Sequence, residues 1–118
     1  MATKRDNRWC SLTPFRQFYR RARTRDRATD LSPEYLQELW AKQEGKCPLT
    51  HWNLALPTSR CLGYVDKRHP ANASLDRIDQ RVKYRKGNVR FVALIANYAR
   101  NTWTDADVIA FCKAVVAH

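Results

Sequence analysis

Apolar residues recur at helical spacing in four stretches of the chain, separated by segments that alternate or follow no period. In "TPFRQFYRRARTR", Phe15, Phe18 and Ala22 fall on one side. Thr13 is placed to cap that helix, and Pro14 occupies the first helical position, where a missing N–H costs nothing. "LSPEYLQELWAKQEGKC" is a cleaner case. Ser32 caps it, Pro33 opens it and Glu34 sits in the first turn, while Leu36, Leu39, Trp40 and Gln43 repeat at three and four residues until Gly45. "VALIANYARN" places Val92, Ile95, Ala96 and Ala99 on one stripe. "TDADVIAFCKAVVAH" opens with Thr104 and Asp107 at capping-box spacing, then offers Val108, Ile109, Phe111, Cys112, Val115 and Val116 as a broad core face. Between the second and third helices, "CPLTHWNLALPTSRCLGYVDKRHPANA" is punctuated by Pro and Gly and predicts an irregular connection with room for one short strand. "ASLDRID" and "NVRFV" then predict two strands bracketing a basic loop. The order helix, helix, loop, strand, strand, helix, helix describes a small α+β domain.

Composition adds a partner class. The chain of 118 residues suits one domain, and 44% hydrophobic residues suffice for a modest core. Its formal charge is +11, which attracts polyanions, nucleic acid first among them. Residues 1–28 hold nine Lys or Arg against two Asp. The expected division is therefore a basic N-terminal arm and helix over residues 1–30, followed by a domain over residues 31–118. Arg16, Arg20, Arg21 and Arg23 form a face suited to phosphates, with a merely solvated basic arm as the alternative. In "QRVKYRKGNVR", Tyr84 stands among Arg81, Lys83, Arg85 and Lys86, which suits groove or phosphate contact. Trp9, Trp52 and Trp103 are open between core packing and base stacking. The N-terminus lacks an apolar signal core and no run approaches a membrane span, so a cytoplasmic location without membrane contact is expected. The four cysteines form no CxxC pair and are expected as thiols, with Cys47 and Cys112 in the core.

Strand, loop, strand, helix over about residues 73–101 is a ββα unit, and it carries the candidate chemistry. Asp76 ends the first strand, Asn88 opens the second and Asn97 lies within the helix. Asn is a poor helix former, so its place there asks for a reason. Asn97 shares a side with Arg100 and Asn101, and that side can face the end of the hairpin. A carboxylate and an amide oxygen converging on one point are hard ligands, appropriate to Mg²⁺ completed by water and phosphate oxygens.

At these residues the chain resembles the HNH, or His-Me finger (ββα-metal), endonucleases, and within them the phage-type pattern "SLDRID…GNV". Here it reads Ser74-Leu75-Asp76-Arg77-Ile78-Asp79, Tyr84 and Gly87-Asn88-Val89. The interval from Asn88 to Asn97 matches the family's spacing from its central Asn to its last metal ligand, and Arg100 matches a common Lys or Arg three residues on. "LQELWAKQEGKCPLT" and "NYARNTWTDADVIAFCKAV" resemble the flanking regions, so the likeness covers roughly residues 31–116. It implies a ββα-metal motif flanked by helices, a phage or prophage source, and metal-dependent hydrolysis of DNA, cutting one strand or both. Asp76 and Asn97 would bind Mg²⁺ or Mn²⁺, and Asn88 would brace the loop. Arg77 stands where many relatives carry the catalytic His, as is usual in the DRID subgroup. A guanidinium stays protonated and cannot be a base, but it can clamp the scissile phosphate. Phosphate contacts are expected of Arg16, Arg20, Arg21, Arg23, Lys83, Arg85, Lys86, Arg90 and Arg100.

The general base is open. His69 is the first candidate, His51 the second, with Asp79 and Tyr84 behind them. Cys47, His51, Cys61 and His69 fit no common zinc spacing, so a structural zinc is not expected. A catalytically idle nucleic-acid-binding domain on the same scaffold is the alternative function. RNA fits the charge as well as double-stranded DNA does. Monomer and homodimer are both open.

Overall fold

The computed structural model describes residues 10–57 and 68–118. Its elements are α1 (Thr13–Arg25), α2 (Pro33–Lys42), β1 (Ala73–Arg77), β2 (Val89–Ala93), α3 (Leu94–Arg100) and α4 (Asp105–Ala117). The strands form a two-stranded antiparallel sheet in which Asp76 faces Arg90 and Leu75 faces Phe91. This is a small α+β domain whose hairpin runs directly into helices.

Phe91 is the centre of the core. It is fully buried, and the rings of Phe18, Trp40 and Phe15 meet it edge-on at 5.2, 5.4 and 6.1 Å, the geometry aromatic quadrupoles favour. α1 supplies Phe15, Phe18 and Ala22 to this cluster. The segment expected as an arm ahead of the domain therefore shares the domain's core. Its start also differs from the expectation. Leu12 is the cap residue, and Thr13 is already helical and buried, its hydroxyl accepting from the Cys10 N–H at 2.9 Å.

α2 begins as its sequence suggests, with the Ser32 hydroxyl accepting from the Tyr35 N–H; it ends at Lys42, with Gln43 as its cap and both Glu44 and Gly45 at positive φ, +55° and +66°. Gln43 was expected only as a member of the apolar repeat. Instead its amide bonds both backbone groups of Phe91, each at 2.8 Å. One side chain thereby satisfies an edge of β2 that no strand among the described residues covers.

Two expectations fail on the C-terminal side. Val92 and Ala93 belong to β2, paired with Ser74 and Ala73, so α3 starts later than the apolar stripe implied. Within α3, Ile95 and Ala99 are exposed while Ala96 and Arg100 are buried. α4 has the predicted capping box between Thr104 and Asp107, but none of its residues is buried. Its broad apolar face meets no core among the described residues, and Cys112 is exposed rather than internal; Cys47 is buried as expected.

The basic loop between the strands is held at several points. The Asn88 carboxamide accepts from the Asp79 N–H at 2.9 Å and donates to the carbonyls of Asp79, Val82 and Lys83. From outside, Asp26 pairs with Arg85, Asp30 accepts from the Lys86 N–H at 2.8 Å, and the Tyr35 hydroxyl accepts from the Gly87 N–H at 2.9 Å. Gly87 sits at φ +85°, a conformation that disfavours a side chain.

Candidate functional site

β1 ends at Arg77, and that ending resolves a geometric difficulty. Neighbouring strand residues point to opposite faces, yet Asp76 and Arg77 both border one cavity of about 410 Å³. Leu75, Asp76 and Arg77 all line it, at the point where the strand stops. Asn97 from α3, Arg25 from α1, Gln80 and Tyr84 complete the part of the lining that matters chemically. A second cavity of about 300 Å³ shares Arg25, Leu75, Tyr84 and Asn97 and adds Arg21. The two make a trough with cations along it and one buried carboxylate.

That carboxylate is heavily engaged. Asp76 is 2% exposed. Arg100 Nη1 donates to its two oxygens at 3.0 and 2.7 Å, and Arg90 Nε donates to Oδ2 at 3.0 Å. Arg90 also grips Asp105 with both terminal nitrogens, at 2.9 and 2.7 Å. Arg100 Nε lies 2.9 Å from Asp105 Oδ1 without the alignment of a hydrogen bond. Two acids and two guanidiniums thus close a ring of alternating charge. Arg100 further donates to the carbonyls of Arg77 and Ile78, which fixes the backbone where β1 stops. Arg90 and Arg100, expected as phosphate contacts, lie here against Asp76 and Asp105. Their charge is already matched by carboxylates, and Arg100 is only 5% exposed.

Asn97 is half-buried, and its Nδ2 donates to Ser74 Oγ at 2.6 Å. Its Oδ1 has no protein donor among the described residues. A carboxylate offers about four lone-pair directions, of which Asp76 has three occupied. One remaining direction and the Asn97 carbonyl fit a hard cation only if water and phosphate oxygens supply the rest of its shell. Among the described residues no three His, Cys, Asp or Glu side chains gather as a metal-ligand cluster. Cys61, one of the four residues weighed for zinc, lies outside the described residues.

Arg77 is oriented rather than free. It donates to the Gln80 backbone carbonyl at 3.2 Å and to Gln80 Oε1 at 2.9 Å, and its guanidinium lies 5.4 Å from the centre of the Tyr84 ring. Tyr84 itself is buried, and its hydroxyl accepts from Arg25 at 3.3 Å. His69 stands ahead of β1, at the end of the strand opposite Asp76. Its Nδ1 accepts from the Ala71 N–H at 3.0 Å, and it does not border the cavity. His51 is exposed in a turn at φ +62°. Asp79 is paired with Arg81, which lowers its pKa through hydrogen bonds. Arg16, Arg20, Arg21, Arg23, Lys83 and Lys86 all present exposed side chains, whereas Arg85 is half-buried against Asp26.

Three contributors escaped the sequence reading. Gln80 aims Arg77, Arg25 brings α1 to the trough, and Asp105 balances Arg90 and Arg100. Only Gln80, three residues beyond Arg77, had a local signal. The hydrogen bonds from Arg90, with the added charge of Arg100, hold the Asp105 carboxyl below the usual carboxylate range. An acid with a depressed folded pKa stabilises the fold above its unfolded value of about 4, and that contribution is lost as pH falls through the lowered value. Unfolding midpoints measured from neutral pH down to about pH 3 should therefore fall less steeply in Asp105→Asn than in the parent chain. Parallel curves would show that Asp105 is not anchored as described.

No family model, curated protein or solved structure matches the chain. The class defined by fold alone is the coarse one, an α+β domain with a hairpin running into helices and a cationic trough at the hairpin's edge.

Proposed function

We propose that this chain is a divalent-metal-dependent DNA endonuclease of the HNH, or His-Me finger, kind. The carrying observation is that Asp76, Arg77 and Asn97, singled out by motif and spacing, border one cavity whose other charged lining residue is Arg25. Asp76 and Asn97 are the residues that would hold Mg²⁺ or Mn²⁺, which supplies Lewis acidity and charge neutralisation at the phosphate. Arg77, held by Gln80, clamps the non-bridging oxygens and opposes charge that builds during attack. Arg25 and Arg21 lead the strand into the trough, and the braced loop presents Lys83 and Lys86 beside it. Asn88 keeps that loop in register. With Arg90 and Arg100 already against Asp76, phosphate oxygens and water would have to supply the rest of the metal's shell.

Incubation with supercoiled plasmid and Mg²⁺ or Mn²⁺ should yield nicked circles, and EDTA should abolish them. A second reading, a nucleic-acid-binding domain without catalysis, is favoured by the crowding of Asp76 by two guanidiniums. It predicts retarded plasmid and no cleavage with either metal.

A further inference from the structure

We propose that α4 is the contact helix of a two-fold homodimer. From Val108 to Ala117 the helix contains one polar side chain, Lys113, the composition of a helix buried on all sides. Yet Phe111 is 65% and Val116 85% exposed, and Trp103, just ahead of the helix, is 61% exposed. Exposed apolar patches of this extent on soluble domains mark association sites. α4 is also too short to cross a membrane.

Charge and geometry select a second copy as the occupant. The chain carries +11 overall, so two copies repel wherever their arginine-rich surfaces meet. α4 contains no Arg and a single Lys, Lys113, against Asp107 and an Asp105 already held by Arg90 and Arg100, so two copies can meet on it with one cation each. An antiparallel pair sets the acid-bearing first turn of each helix beside the acid-free last turn of the other, and opposes the helix dipoles favourably. Area points the same way. Thirteen residues make a helix only about 20 Å long, and one helix pair falls short of the roughly 800 Å² per partner of a stable interface. A groove of about 420 Å³ between Trp103, Val108 and Phe111 adjoins the helix. Because that groove and the helix share Val108 and Phe111, a self-complementary pairing buries both at once on each copy. The inference does not rest on the nuclease reading.

Sedimentation equilibrium of the full chain over a wide concentration range should give a mass approaching twice 13.8 kDa. Phe111→Asp and Val115→Asp should each weaken association by roughly 30-fold or more, as loss of a central anchor does, while Val82→Lys on the loop leaves it unchanged. Both α4 sites are solvent-exposed, and an unchanged far-UV spectrum will show the fold intact. Independently, helices crossing near their midpoints place the two Cys112 thiols within reach of each other. In a Cys10→Ser, Cys61→Ser background a short bifunctional thiol reagent should give a crosslinked dimer, and Cys112→Ser should remove it. A chain that stays monomeric, a dimer indifferent to both aspartates, or a Cys112 that does not crosslink would each overturn the proposal.

Discussion

Arg100→Met is expected to lower the free energy of unfolding by about 3–5 kcal/mol, the largest single-residue effect in the domain. Methionine keeps much of the volume but removes the donors that bind both Asp76 oxygens and the carbonyls of Arg77 and Ile78. Asp76 would then stay buried with Arg90 as its one cationic partner, and an undercompensated carboxylate is costly in a low-dielectric interior. Arg100→Lys should recover only part of the loss, because an ammonium cannot span these acceptors with a planar fork. Adding Asp76→Leu to Arg100→Met should restore most of the stability, since replacing both members of a buried pair leaves no unmatched charge. Urea unfolding of the three variants tests this cycle. A change of under about 1 kcal/mol in Arg100→Met would mean that the pair is solvated rather than internal.

Asn97→Ala should reduce the plasmid nicking rate by on the order of 100-fold while changing stability by no more than about 1 kcal/mol. The asymmetry follows from its position. Asn97 is half-buried and makes a single side-chain hydrogen bond, to Ser74, so the fold loses little. In the proposed nuclease its carbonyl would be one of the two protein ligands, Asp76 being the other, so metal binding would lose much. Asp76→Asn should also stop cleavage, but it disturbs Arg90 and Arg100 and mixes folding with chemistry. For that reason Asn97 is the cleaner probe. Undiminished nicking by Asn97→Ala, with wild-type metal dependence, would remove Asn97 from the proposed pair of ligands and, with it, the His-Me finger reading of this site.

Local chemistry made much of the architecture readable. Ser32, Pro33 and Gly45 delimit α2 through a hydroxyl cap, a residue without an N–H and a residue tolerant of positive φ. Thr104 and Asp107 start α4 in the same self-contained way. The hairpin was legible because a basic loop separates two runs of strand-forming residues. The junction between β2 and α3 was not, since "VRFVALI" fits either period until Val92 pairs with Ser74. α4 misled for a related reason. Its pattern states that it must be covered, and a pattern carries no information about whether its own chain provides the cover.

Site residues divide along the same line. Asp76, Arg77, Asn88 and Asn97 stood out because their spacing lies within one short ββα unit. The pairing of Arg90 and Arg100 with Asp105 was not legible in spacing, because Asp105 lies outside the ββα unit. An arginine in a cationic segment reads as a phosphate contact, and nothing in consecutive letters places a carboxylate against it, as each has here. Gln43 covering β2 and Arg25 reaching Tyr84 are likewise contacts between segments far apart in the chain.

Backbone propensity and short-range side-chain bonds act over a few residues, so they are written into consecutive letters: the caps, the hairpin, the cationic character and the four motif positions. Which charges neutralise one another, and which apolar face remains uncovered, depends on how distant segments approach. Burial makes those pairings strong, because a charge removed from water must find its partner wherever the packed chain brings one.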